Sequence, residues 1–425
     1  MPAHRLTTLP GGERVITERI NGVRSVALGL WIGAGSRDEP PAKAGVSHFI
    51  EHLLFKGSSR YSARDIAEMF DAMGGELNAA TSRETTVVYT RVPDDHTAQA
   101  LDAMVDMVFE PSFADLDSER DVVLEEIAMV EDNPQDLVHD VAAEVVFGDH
   151  PLGRPVIGRA EVISSISRRA LRSYHRGAYV GGNIVLAAAG NVEHDRLAEL
   201  LGQRRNEASV PLRLPRKPLQ RTPDPSALFV RKDTEQYHIV LSGPGVSRSD
   251  ERRYAASLLD AIVGGSASSR LFQEIREKRG MAYSVYSYGS QYAEAGQVGI
   301  YIGTRGDNLA SCLDVTAAEL RDVGEGNLRQ GELERAKENL RGRLLLAQES
   351  TSSRMNRLGR ALITDVELVS LEETIARIDA VGTEDVAGLA RETLAPETLS
   401  VAGIGTSEKR FRSAVARFNP LVRAA

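Results

Sequence analysis

Residues 26–39 read VALGLWIGAGSRDE, and residues 238–251 read HIVLSGPGVSRSDE. Two more pairs of similar segments occur in the same order, residues 85–104 with 297–316 and residues 183–195 with 398–410. The first residues of the paired segments are 212, 212 and 215 positions apart. Three segments repeated in one order at nearly one offset indicate an internal duplication of roughly 210 residues, far longer than a solenoid repeat.

Each copy contains strand-like and helix-like patterns. Residues 87–89 and 298–301 have the pattern of strands in a partly exposed sheet, whereas residues 65–73 and 98–109 have the apolar spacing of helices. Strands interleaved with helices in this way predict an α+β fold. We therefore expect two homologous domains, each a mostly antiparallel sheet with helices on one face.

A proline-rich segment separates the two copies. Residues 203–226 contain five of the 17 prolines, together with many arginines and few apolar residues. Because proline disrupts the interior of a helix or a central strand, this segment predicts an extended linker. The expected organisation is an N-terminal domain at 1–205, a linker at 206–224 and a C-terminal domain at 225–425.

The composition excludes several classes of protein. The chain has 425 residues with 51 Lys and Arg against 60 Asp and Glu, and its net charge of −9 disfavours binding to nucleic acid or to an anionic membrane surface. The single cysteine, Cys312, allows no disulfide within the chain and no cysteine-based zinc finger, and we expect it to be a small buried residue. No apolar run approaches the ~18 residues of a membrane span, and the N-terminus lacks a signal-peptide pattern. These features predict a cytoplasmic protein.

The most specific motif is GVSHFIEHLLFK at 45–56. On the helix that its apolar spacing predicts, His48 and His52 are four residues apart and share one face, with Glu51 at its edge. Two such imidazoles can hold one metal ion, and the carboxylate can reach a water molecule on it, as in the H-x-x-E-H order of the inverzincins. The alternative is two surface histidines beside a solvated glutamate, which the strongly apolar helix disfavours.

A third ligand is expected from the predicted helix at 118–132. Its apolar stripe contains two acids at helical spacing, and the stripe consists of Glu119, Val122, Val123, Glu126 and Val130. Buried carboxylates are costly unless a metal or an imidazole accompanies them. Glu125 points about 100° away and is expected to be solvated. The alternative role, an acid that favours the helix dipole, suits Glu119 better because it lies in the first turn.

The predicted site is one divalent ion held by His48, His52 and Glu126. His₂Glu sets are known for hydrolytic zinc, although cobalt and manganese remain open. Glu51 would accept a proton from the attacking water and pass it to the leaving amine. Glu119 would orient one of the ligand imidazoles.

Three segments resemble peptidase family M16: GVSHFIEHLLFKG at 45–57, GGELNAATSRETTVVY at 74–89 and ERDVVLEEI at 119–127. The resemblance covers nearly the whole chain and is closest to the short, processing-peptidase-like branch. It implies zinc ligation by His48, His52 and Glu126, with Glu51 as the catalytic base and Glu119 as an assisting carboxylate. It also implies paired α+β domains that form half of a clamshell.

The second copy lacks the ligands, because positions 260–264 read DAIVG. The resemblance instead implies that an arginine and a tyrosine seven residues apart bind substrate and support the transition state, and Arg276 and Tyr283 match that spacing. The alternatives are a helix-surface cation and ordinary strand packing. Since the chain keeps both sets, we expect a homodimer in which each zinc site is completed by the partner's copy of this pair.

The resemblance also implies a substrate-binding edge strand that accepts a peptide as an added strand. Asn78, Ala79 and Ala80 are the candidates, because they follow the predicted helix end at Gly74 and Gly75. A plain edge strand without this role is the alternative.

The sequence therefore predicts a zinc endopeptidase that cleaves peptides or unfolded segments in a closed chamber. A non-catalytic peptide-binding or scaffold subunit of a peptidase-like complex is the alternative from another class. Peptide capture with slow hydrolysis is a third possibility. The intact set of His48, Glu51, His52 and Glu126 favours the enzyme.

Overall fold

A computed structural model describes residues 4–204 and 216–424. The strands are β1 Arg5–Thr8, β2 Arg14–Arg19, β3 Ser25–Ile32, β4 Glu76–Thr81, β5 Thr86–Pro93, β6 Ile184–Gly190, β7 Ser226–Arg231, β8 Gln236–Gly245, β9 Ala282–Gln291, β10 Gly296–Arg305, β11 Ser400–Gly405 and β12 Arg423–Ala424. The α-helices are α1 Val46–Leu54, α2 Ala63–Met73, α3 Thr97–Phe109, α4 Leu116–Asp132, α5 Pro134–Phe147, α6 Ala160–Ser165, α7 Arg168–Ala178, α8 His194–Arg204, α9 Arg253–Val263, α10 Leu309–Gly324, α11 Glu332–Ala347, α12 Thr351–Ile363, α13 Leu371–Asp379, α14 Thr383–Thr393 and α15 Glu408–Phe418. No helix in these ranges combines the length and apolar character needed to cross a bilayer.

The strands of the described residues form two six-stranded sheets with the same internal order. The first sheet runs β1-β2-β6-β3-β5-β4 and the second β12-β7-β11-β8-β10-β9. The parallel pair β2 with β6 in the first sheet is equivalent to the parallel pair β7 with β11 in the second, and the next three pairs in each order are antiparallel. The three paired sequence segments thus occupy equivalent strands, and the predicted α+β class with duplicated sheets is confirmed. The outer strands differ, since β1 is antiparallel to β2 whereas β12 is parallel to β7.

Contacts divide the described chain into two compact units. The first unit comprises 4–127, 155–204, 216–217 and 345–368, and the second comprises 128–154, 218–344 and 369–424. Neither unit is a contiguous half, because α12 belongs to the first unit and α5 to the second, whereas the sequence analysis left each in its own half. Of the predicted linker, 206–215 lies outside the described residues and 216–224 contains neither helix nor strand.

Both faces of the first sheet are covered. Alternate residues of β3, Val26, Leu28 and Leu30, belong to the core that contains α1, α3 and α7. The opposite face of the sheet packs against Met355 and Leu358 of α12. This explains why β3 is apolar on both faces. Helix α12 approaches closely because Gly29 has no side chain, and a Cβ there would lie 2.5 Å from the Met355 Sδ.

Helix α2 leads directly into the edge strand β4. It begins with a capping box between Ser62 and Asp65 and ends at Gly74, whose φ of +63° is left-handed. The predicted helix end is therefore confirmed. The substrate-binding candidates Asn78, Ala79 and Ala80 are inside β4 and pair with β5.

Candidate metal centre

Helix α1 carries both motif histidines and is fixed at its N-terminus by a buried carboxylate. The Glu39 carboxylate accepts hydrogen bonds from the backbone N–H groups of Gly45 and Ser47, both at 2.7 Å. Gly45 has a φ of +95°, and a Cβ there would lie 2.7 Å from the Gly158 Cα. An anion at this end stabilises a helix, so Glu39 fixes where α1 begins.

The two faces of α1 have different roles. The buried face consists of Val46, Ser47, Phe49, Ile50, Leu53 and Leu54. The other face presents His48 and His52, whose ring centroids are 4.7 Å apart and whose rings meet edge to face. Their side chains are 12% and 21% exposed, so both can be reached from outside the core.

Glu126 of α4 meets the two rings. Its Oε2 lies 3.6 Å from the His48 Nε2 and 3.3 Å from the His52 Nε2. One ligand atom from each of the three residues lies within 4.8 Å of the others. Among the described residues, this is the one group of three His, Cys, Asp or Glu side chains with that geometry.

These distances fit a zinc ion. Ligand atoms about 2.0–2.1 Å from a tetrahedral ion are about 3.3 Å from each other, close to the separations of the Glu126 Oε2 from the two Nε2 atoms. Burial, with a smaller effect of His52, lowers the pKa of His48 to about 4, so its ring is in the neutral form that binds metal. The buried His48 Nδ1 has no hydrogen-bond partner among the described residues, which leaves Nε2 as the accessible nitrogen facing Glu126.

Glu119 joins the site to a lysine that the sequence analysis did not single out. Its Oε1 lies 2.9 Å from the His52 Nδ1, and its Oε2 lies 2.7 Å from the Lys56 Nζ. The Nδ1–H of His52 donates to this carboxylate, so Nε2 keeps its lone pair for a metal. The partner of Lys56 could not be predicted from spacing, because Lys56 lies in the turn after α1 whereas Glu119 lies on α4.

Glu51 lies beside the three candidate ligands, and its carboxylate accepts a hydrogen bond from β4. Its Oε2 accepts a hydrogen bond from the Thr81 hydroxyl. Burial raises the pKa of Glu51, and the Thr81 hydroxyl opposes that rise by favouring the carboxylate. The carboxylate is therefore held in a defined orientation next to the three ligand atoms.

The sequence and fold match known proteins over nearly their whole length. Residues 14–160 match the family model of insulinase (peptidase family M16), and residues 165–340 match that of the peptidase M16 inactive domain. An uncharacterized zinc protease of Streptomyces coelicolor is 43% identical over 94% of this chain and 89% of its own length. The chain belongs to peptidase family M16. Another uncharacterized zinc protease, from Bacillus subtilis, is 40% identical over 91% of this chain and 94% of its own length.

Two solved structures share the fold of this M16 chain. A protease from Helicobacter pylori has a TM-score of 0.89 at 20% identity and covers 95% of this chain and 100% of its own. A peptidase M16 inactive domain from Pseudomonas fluorescens has a TM-score of 0.86 at 23% identity, with 95% and 98% covered. The resemblance stated from the sequence motifs is thus confirmed, and zinc is the metal of this family of peptidases.

The apolar stripe of α4 in the M16 chain differs from its prediction. The buried residues of α4 are Leu116, Glu119, Val123 and Ile127. The inclusion of Val122 is wrong, since it is 50% exposed. The buried stripe includes Ile127 instead. The buried face of α4 is therefore rotated about the helix axis by about one residue position from the predicted face. Glu126 therefore lies at the edge of the buried face with its side chain 42% exposed, where it meets the histidines.

The remaining predicted site residues lie in two places. Asn78, Ala79 and Ala80 are in β4, at the end of the first sheet's strand order. Arg276 and Tyr283 are in the second unit, where the Arg276 Cζ lies 4.6 Å from the centroid of the Tyr283 ring. Tyr283 is 77% exposed, so the alternative of ordinary strand packing does not describe it. The structure therefore brings Arg276 and Tyr283 together as a cation–π pair.

Replacing Glu119 by glutamine is expected to weaken zinc binding about 10-fold to 100-fold, because the substituted amide holds His52 less firmly and lacks the charge that pairs with Lys56. Competition with a chelator of known zinc affinity measures the change. Asp121→Asn, an exposed acid on the same helix, is the control and should match the wild type. Equal zinc affinity of Glu119→Gln and wild type would contradict the role given to Glu119.

Proposed function

We propose that this M16 member is a zinc-dependent endopeptidase that hydrolyses peptides or unfolded segments. The observation that carries the proposal is the meeting of His48, His52 and Glu126 within 4.8 Å, with Glu51 beside them on the same helix as the histidines. A protein that only bound peptides would need neither this ligand set nor a partly buried glutamate next to it.

Each group at the site has its own role in the proposed hydrolysis. Zinc, when bound, supplies the positive charge that activates a water molecule and polarises the carbonyl of the scissile bond. Glu51 accepts the proton of the attacking water and transfers it to the leaving amine. Glu119 and Lys56 keep the His52 ring in position through the contacts at 2.9 Å and 2.7 Å.

The edge strand β4 is the proposed docking site for the substrate backbone. A peptide that adds as a further strand gains main-chain hydrogen bonds with little dependence on its side chains. The Ala79 N–H donates to the Asn78 side-chain oxygen at 2.8 Å, so an incoming strand would replace that bond. This mode of binding suits extended and unfolded segments rather than folded proteins.

Peptide cleavage tests the proposal directly. We expect the purified protein to cut an unstructured fluorogenic peptide at an internal bond, to lose this activity with a chelator and to regain it with zinc. Mass spectrometry of the products distinguishes internal cleavage from trimming at the ends. A protein that holds zinc and binds the peptide but releases it uncut would instead be the scaffold or peptide-binding subunit.

We also propose a homodimer in which the substrate is enclosed and Arg276 and Tyr283 complete the zinc site of the partner. Co-expression of Glu51→Gln and Arg276→Ala chains with different tags tests this. In a mixed dimer, one of the two sites has both an intact Glu51 and an intact Arg276. Random pairing makes about half of the dimers mixed, so about a quarter of wild-type activity is expected. Each variant alone should be nearly inactive. If the doubly tagged dimer is also inactive, completion of the site by a partner is wrong.

A further inference from the structure

Thr81 is the last residue of β4, and it contacts the carboxylate of Glu51 through two groups. Its hydroxyl donates to the Glu51 Oε2, and its backbone N–H is directed at the same carboxylate. The hydroxyl of Thr86, 3.3 Å away, donates its own proton to the Ala34 carbonyl oxygen at 3.0 Å. A hydroxyl has one proton, so the Thr81 proton is committed to Glu51.

The same residue belongs to the open edge of the sheet. Among the described strands only β5 pairs with β4, and Thr81 lies opposite Thr86 in that pairing. Main-chain groups alternate in direction along an antiparallel strand. Because the Thr81 N–H is directed at Glu51 rather than at β5, Leu77 and Ala79 present their main-chain groups to the same open edge.

Side-chain alternation agrees with this placement. Leu77, Ala79 and Thr81 are partly buried, whereas the residues between them are exposed. Leu77 and Ala79 pack against the core of the first unit, which includes α1. The face of β4 that lies towards α1 therefore ends at Thr81, where it meets the helix residue Glu51.

We infer that Thr81 is a positioning residue that couples docking of a peptide on β4 to the orientation of Glu51. The inference rests on the proposed function, since Glu51 needs a precise orientation only if it acts as a base. A peptide added along the edge holds β4 in place. Thr81 then keeps the Glu51 carboxylate directed at the position that the attacking water must occupy. Such positioning acts on the chemical step rather than on binding.

The valine and serine variants of Thr81 separate positioning from packing. Thr81→Val keeps the shape and removes the hydroxyl, whereas Thr81→Ser keeps the hydroxyl and removes a methyl group. Thr90→Val is the matched control on β5, because the buried Thr90 hydroxyl has no hydrogen-bond partner among the described residues. All three proteins should bind one zinc ion and melt close to the wild type.

Steady-state hydrolysis of the fluorogenic peptide measures the effect. We expect Thr81→Val to lower kcat about 10-fold to 100-fold, as for the loss of a hydrogen bond to a charged group, with KM changed less than about threefold. Thr81→Ser should restore kcat to within about threefold of wild type, and Thr90→Val should leave kcat unchanged. A wild-type kcat in Thr81→Val would overturn the inference, as would equal losses in the valine and serine variants.

Glu51→Gln, measured in parallel, separates this inference from the proposed function. If Glu51→Gln is inactive and Thr81→Val is fully active, the peptidase proposal stands and the role of Thr81 is wrong. If Glu51→Gln keeps wild-type turnover, the base assignment fails and the inference about Thr81 fails with it.

Discussion

Glu126→Gln is expected to lose its zinc and, with it, all measurable peptide hydrolysis. The Glu126 Oε2 lies 3.6 Å and 3.3 Å from the two histidine nitrogens, and it supplies the only negative charge of the three proposed ligands. Loss of a residue that merely orients a ligand costs about 10-fold to 100-fold in metal affinity, so we expect the loss of a ligand's charge to cost at least about 100-fold. Zinc content after dialysis, measured by elemental mass spectrometry, tests this.

Glu125→Gln is the matched control, since it makes the same chemical change one residue away on an exposed part of α4. It should retain one zinc ion per chain and wild-type activity. If Glu126→Gln also kept stoichiometric zinc at submicromolar free metal, Glu126 would not be a ligand. The site would then have two histidines and no carboxylate, which does not match the His₂Glu set of hydrolytic zinc.

Glu51→Gln is expected to keep zinc and to lower kcat by about 10²-fold to 10⁴-fold, the range attributed to a general base. The Glu51 carboxylate is not among the three ligand groups, so its loss should leave the metal in place. The glutamine oxygen can still accept the hydrogen bond from Thr81, which favours an unchanged fold. Zinc content, melting temperature and kcat measured on one preparation test all three expectations.

Glu131 is an exposed acid on α4, and Glu131→Gln is the control for Glu51→Gln, since it makes the same chemical change at another position. We expect it to have wild-type zinc content and turnover. Loss of zinc in Glu51→Gln would contradict the separation of base from ligands. Unchanged turnover with full zinc occupancy would show that another group accepts the proton.

Local patterns predicted much of this molecule. The constant offset between similar segments predicted duplicated sheets, because strands and helices at equivalent positions repeat the same pattern of apolar residues. The covering of the first sheet's second face by α12 was not predictable in this way. The sequence of α12 shows an amphipathic helix, but nothing local to it specifies that Met355 and Leu358 pack against a sheet formed more than 160 residues earlier in the chain.

The same limit applies to the residues around the metal centre. Spacing alone placed His48, Glu51 and His52 on one turn of α1, because helical periodicity is a property of neighbouring residues. It could not identify Thr81 as the partner of Glu51 or Lys56 as the partner of Glu119. Those partners come from other elements, which meet only after the chain has folded.

The sequence by itself determined a duplicated α+β chain and a pair of imidazoles with a glutamate beside them on one helix. Only the tertiary structure decided that α4 turns Glu126 to within 3.6 Å of both rings, and that Thr81 ends an open strand at the Glu51 carboxylate. The physical reason is that periodicity fixes the face of a helix on which a side chain lies. The packing of whole elements against one another fixes which side chains of different elements come into contact.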